Sequence, residues 1–134
     1  MSVLDNALQA CFKESVKIIK KWTNASPDSG FPAQKVSADM DGDGALVLFK
    51  TTSGSVGRRY YACSAGGTCQ AYSFGSLGTD SLTHFLSRNF TVTTTGVEFE
   101  ASKDKAGTSN TPTTTTNDLI PLEIYAYKFI GGGQ

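Results

Sequence analysis

An excess of charge of either sign is what this sequence most plainly lacks: 12 Lys and Arg stand against 12 Asp and Glu. With no basic field to hold a phosphate backbone, nucleic-acid binding is excluded as a main task. A run of about eighteen apolar residues is missing too, so no membrane partner is expected. No signal-peptide pattern opens the sequence, because its first residues mix acidic and basic side chains with apolar ones. Histidine occurs once, at His84. There is no nucleophile elbow, P-loop, dinucleotide fingerprint or His-Glu-x-x-His, and the sequence reads as a non-enzyme. The three cysteines, an odd number, argue against a framework built purely of disulfides.

What is abundant is small and polar. Gly, Ser and Thr together make up roughly a third of the 134 residues, which favours strands, turns and polar loops over long helices. The length suits one domain, 1–134, with a core of its own.

Hydrophobic spacing predicts an amphipathic helix over 3–22. Leu4, Leu8, Cys11, Phe12, Ile18, Ile19 and Trp22 fall on one arc, and lysines fall opposite. Residues 23–34 read as a loop punctuated by Pro27, Gly30 and Pro32. Val36, Ala38 and Met40 alternate with polar residues, and "ALVLF" reads as a strand; a hairpin turn between them would place Val36, Ala38 and Met40 on one face with Ala45, Val47 and Phe49. "RRYYACS" and "TCQAYSF" predict two strands around Ala65-Gly66-Gly67. "GTDSLTHFLSRNF" predicts a short second helix burying Leu82, Phe85 and Leu86 and leaving His84 exposed. "FTVTTTGVEFEAS" returns to strand, and residues 103–118 read as a mobile polar arm. The last strand alternates Leu122, Ile124 and Ala126 with Tyr125, Tyr127 and Phe129, before a flexible tail at 131–134. The expected fold is α+β: a mainly antiparallel sheet of about six strands, the N-terminal helix on one face and a second short helix.

Three constellations invite chemistry. Asp39, Asp41 and Asp43, followed by Gly44, open like a calcium loop, but the twelfth position is Lys50 where such a loop needs a bidentate Glu. A turn is the competing reading, with a weak calcium site on it as the one cofactor to consider. Cys63 and Cys69 face each other across the expected Ala65-Gly67 loop, as a disulfide or as two buried thiols; zinc would need four ligands. Tyr60, Tyr61, Tyr72, Tyr125, Tyr127 and Phe129 crowd onto alternating strands, where some must face outward as an interaction surface or pack across strands.

These features point first to a structural or assembly protein, a homo-oligomer or a partner of other structural proteins. A subunit of a virus or phage particle, located in the virion, would act through the sheet-surface aromatics and the 103–118 arm. One alternative is a small extracellular or cell-surface binding module with weak calcium, supported by two glycosylation-type motifs at Asn24 and Asn89. Another is a mature product of a viral polyprotein, since the chain ends in Gln134.

Overall fold

The computed structural model of the protein describes residues 15–75 and 80–130. Strand makes up 62% of it and helix 1%, in two antiparallel sheets of which one curls into half a barrel. The α+β expectation is thereby overturned. Ten strands form among the described residues: β1 Val16–Thr23, β2 Gln34–Ser37, β3 Gly44–Thr52, β4 Arg58–Ser64, β5 Thr68–Gly75, β6 His84–Thr93, β7 Gly96–Phe99, β8 Ser102–Ala106, β9 Thr113–Thr115 and β10 Asp118–Phe129. The first sheet runs β1-β10-β3-β4. The second runs β2-β7-β6-β8-β9, with β5 on the other side of β6.

Both expected helices are corrected where the structure describes them. Residues 16–23 are β1, paired antiparallel to β10 with Ile18 opposite Tyr127 and Ile19 opposite Ala126; residues 3–14 lie outside the described residues. β-branched Val16, Ile18 and Ile19 fit a pleated strand better than a helix. β1 is an edge of its sheet, and Lys17, Lys20 and Lys21 along it deter pairing with another chain's edge. The second helix is replaced by β6, whose side chains alternate strictly: His84, Leu86, Arg88, Phe90 and Val92 are buried and the residues between them are not. Leu82 and Phe85, assigned to a buried helical face, are respectively exposed and half-buried.

Segments read as loops also differ in detail. The 38–43 stretch is not a hairpin tip, because β2 and β3 belong to different sheets and this stretch carries the chain across. The inward set holds nonetheless: Val36, Met40, Ala45, Val47 and Phe49 are buried, and Ala38 is half-buried against the core. Residues 103–118 carry most of β8 and all of β9, which pair with each other, and β8 also pairs with β6. The 23–34 loop leads into β2, while the 131–134 tail lies outside the described residues.

The core lies between the sheets. Phe49 from the first sheet meets Phe90 and Phe99 from the second at ring-centroid distances of 5.5 and 6.1 Å, and Phe31 closes the group at 5.4 Å from Phe99. Edge-on and tilted ring pairs of this kind add to the burial of apolar surface. Pro121 sits inside β10 opposite Phe49 of β3, and its missing N–H is tolerated there because the β1 ladder ends at Glu123 and the β10–β3 register shifts between Pro121 and Glu123.

At the centre of the second sheet lies Arg88, 1% exposed. Its Nε donates to the Leu119 carbonyl at 2.8 Å, Nη2 to the Asp118 carbonyl at 2.9 Å and Nη1 to the Glu100 carbonyl at 2.7 Å. One planar fork thus ties β6 to the start of β10 and to the bend after β7. Burial pulls the guanidinium down to about 10, opposed by Asp118, so it remains charged at neutral pH.

Candidate functional site

The acidic stretch is built of three separate carboxylates. Asp39 Oδ1 accepts the Asp41 N–H at 3.3 Å, a local turn, while Asp43 Oδ2 accepts the Phe129 N–H at 2.6 Å and so staples the crossover to the end of β10. Asp39 and Asp41 line a cleft of about 190 Å³ together with Lys17, Lys21 and Lys128. Three ammonium groups beside two carboxylates favour charge balance over capture of a divalent cation. No group of three or more metal-ligating side chains forms among the described residues.

Cys63 and Cys69 are both free thiols. Cys63 pairs with Ala45 in the first sheet and Cys69 with Phe90 in the second, so the intervening turn passes from sheet to sheet instead of closing a two-stranded hairpin. Burial, with Cys69 beside it, pushes the Cys63 thiol up to about 12, which makes it a poor nucleophile at neutral pH.

The six aromatic candidates fall into different places. Tyr61 turns inward onto Phe49 at 5.8 Å. Its hydroxyl donates to the Tyr72 carbonyl at 2.7 Å and accepts the Tyr72 N–H at 3.2 Å. That one hydroxyl satisfies both free backbone groups of Tyr72 on the edge strand β5 and links the two sheets. Tyr72 stands outward on the second sheet with Phe74 and Phe85, at 5.9 and 6.3 Å. Tyr127 and Phe129 pair at 5.5 Å at the end of β10.

Tyr60 and Tyr125 come together on the outer face of the first sheet, 6.4 Å apart. With Ile18 and Leu46 they line an apolar groove of about 360 Å³. Four strands therefore contribute one residue each. Leu46 and Tyr125 are direct cross-strand partners, and Leu46 points outward because its neighbours Ala45 and Val47 point into the core. Tyr60 is 59% and Ile18 52% exposed. The rim is charged with both signs. Lys20 Nζ lies 2.7 Å from Glu123 Oε2 and 5.7 Å from the Tyr125 ring centre, and the Tyr125 hydroxyl donates to Glu123 Oε1 at 3.0 Å. Ile18 and Leu46 were not singled out as surface residues in the sequence, where Ile18 matches a helical arc and Leu46 lies in an unbroken apolar run.

His84, expected on an exposed helical face, is 7% exposed on β6. Nδ1 lies 2.7 and 2.9 Å from the two oxygens of Asp104 on β8, and Nε2 lies 2.8 Å from Asp80 Oδ2. A neutral imidazole can donate from only one nitrogen, whereas the imidazolium donates to both carboxylates. The hydrogen bonds to Asp104 and then Asp80 accordingly raise His84 above its ordinary 6.5. The stabilisation is fully present below 6.5 and is lost as pH rises through the higher folded value. Melting temperature should fall as pH is raised from about 6 through that value. In His84→Gln this fall should be absent; an identical decline in the variant would assign it to other groups.

Comparison with protein families, curated proteins and solved structures finds no match to this chain.

Proposed function

We propose that the protein is a non-enzymatic structural subunit that self-associates, as a building block of a larger assembly such as a virus or phage particle. The observation that carries this reading is the outward apolar groove of Ile18, Leu46, Tyr60 and Tyr125 on a sheet face that no other element of the described chain covers. Exposed aromatic and aliphatic side chains gathered in one patch are the composition of an association surface. A second copy suits the patch as its occupant. Zero net charge imposes no overall repulsion between copies. The rim also carries Lys20 and Glu123 side by side, so a two-fold axis through the patch can set each sign against its opposite. The edges β1 and β4 are lined with Lys17, Lys20, Lys21, Arg58 and Arg59, which favours contact through the face over strand addition.

Sedimentation velocity over a range of concentrations tests this. The natural sequence should form a dimer or larger species, and Tyr60→Asp should weaken association by at least about tenfold, since a carboxylate is placed in the middle of the apolar patch. A natural protein that stays monomeric at all concentrations would reject the proposal.

A further inference from the structure

At one end of the sandwich, away from the outer-face groove, the sheets leave a cavity of about 530 Å³. Its wall is formed by Thr51 and Thr52 at the end of β3, Ser55 beyond it, Ser73 and Leu86 facing each other across β5 and β6, and Asp118 at the start of β10. Its size falls within the usual range for small-molecule pockets.

The hydrogen-bond accounting of this wall is incomplete. Ser73 is 6% exposed, and among the described residues its hydroxyl has no hydrogen-bond partner. Asp118, also 6% exposed, accepts the Thr115 hydroxyl at 2.8 Å on Oδ2, while Oδ1 has no partner among the described residues. Neither atom is sealed from the cavity, because no fully enclosed side-chain polar atom lacks a partner. Thr51 and Ser55 share a hydroxyl–hydroxyl bond of 2.6 Å, and Ser55 also donates to the Thr52 carbonyl at 3.2 Å. Ser73 Oγ, which both donates and accepts, and Asp118 Oδ1, which accepts, are thus not used within the described chain and are open to a ligand in this cavity.

The wall also limits what that ligand is. It contains no lysine, histidine or arginine, and the nearby Arg88 donates to three carbonyls. Arg88 and His84 act on the Asp118 carboxylate from outside the cavity, so the wall itself presents one carboxylate and no cationic donor to an anion. A hard divalent cation would want several carboxylates and carbonyls, of which the wall offers one carboxylate and hydroxyls. Adjacent hydroxyls that both donate and accept match Ser73 and Asp118 Oδ1, while Leu86 meets a C–H face.

We propose that this cavity binds a neutral sugar residue, with Asp118 Oδ1 accepting from one ligand hydroxyl and Ser73 Oγ exchanging a hydrogen bond with a neighbouring one. This binding is separate from self-association and does not depend on it.

Titration of ¹⁵N-labelled protein with glucose, galactose, mannose and N-acetylglucosamine tests the assignment. At least one sugar should shift the amides of Thr51, Thr52, Ser73, Leu86 and Asp118, with a Kd on the order of 1 mM. Ser73→Ala should weaken it about fivefold to tenfold, the loss of one hydrogen bond to a bound ligand, with the remaining spectrum unchanged. The proposal is overturned if none of the four moves these amides, if Ser73→Ala binds as tightly as the natural protein, or if calcium or ammonium ions shift the amides and the sugars do not.

Discussion

Arg88→Leu should cost about 3–5 kcal/mol of folding stability, a large part of what a domain of this size possesses. The leucine fits an apolar neighbourhood, so the loss comes from the carbonyls left behind. Leu119, Asp118 and Glu100 each accept from the guanidinium, and the first two lie at the buried start of β10, where Leu119 holds φ at +46°. An unpaired carbonyl in such a place costs on the order of 1–3 kcal/mol, and the left-handed Leu119 backbone has nothing else to hold it there. The Phe31 ring, 5.5 Å from the guanidinium carbon, loses a cationic neighbour as well. Arg88→Lys should recover only part of the loss, since a point ammonium cannot span three carbonyls set around a planar fork. Urea unfolding measures both variants. A leucine variant within about 1 kcal/mol of the natural protein would mean that the three bonds contribute little net free energy.

Gly96→Ala should cost about 3 kcal/mol, with the damage centred on β2. Gly96 stands opposite Ser37 in the β2–β7 ladder at φ +155°. A methyl group there runs into the Val36 carbonyl oxygen and comes within 3.0 Å of its carbon and 3.1 Å of the Ser37 Cα. All three neighbours are backbone, so no side chain can rotate away. Relief requires β2, four residues long, to move off the sheet, taking Val36 out of the core. Amide exchange should therefore accelerate most at 34–37 and least in β3 and β10. Uniform acceleration across both sheets would show instead that the strand cannot separate from the rest.

How far the fold can be read from the sequence varies by element, for identifiable reasons. β10 was legible because Leu122, Ile124 and Ala126 are apolar, buried and two residues apart, with larger polar-edged side chains between them. β6 was not, although its alternation is the stricter of the two. Its buried positions include His84 and Arg88, which count as polar in any hydropathy pattern. That left Leu82, Phe85 and Leu86 to imitate a helical spacing. The two residues that hid the strand are buried only because Asp80, Asp104 and three carbonyls far along the chain satisfy them. β1 failed for the opposite reason. It is an edge strand with apolar side chains on both faces, and nothing local distinguishes that pattern from a helical arc. At the acidic stretch the inward residues were legible, but the assignment of β2 and β3 to different sheets rests on pairings with β7 and β10, distant in sequence.

The same division applies to the interaction face. Tyr60 and Tyr125 were recognisable as aromatics on strands, but a groove needs Ile18 and Leu46 from two further strands, and that meeting exists only once β1, β10, β3 and β4 are laid in order. Tyr61, grouped with the same aromatics by composition, instead spends its hydroxyl on the β5 edge.

The central claim is that copies of this chain meet through that groove. The most direct measurement is a dilution series followed by two-dimensional NMR, residue by residue. The account predicts that the resonances of Ile18, Leu46, Tyr60 and Tyr125 move together with protein concentration, while Tyr72, Phe74 and Phe85 on the outer face of the second sheet stay still. Concentration-dependent shifts confined to the second sheet, or none anywhere, would contradict it.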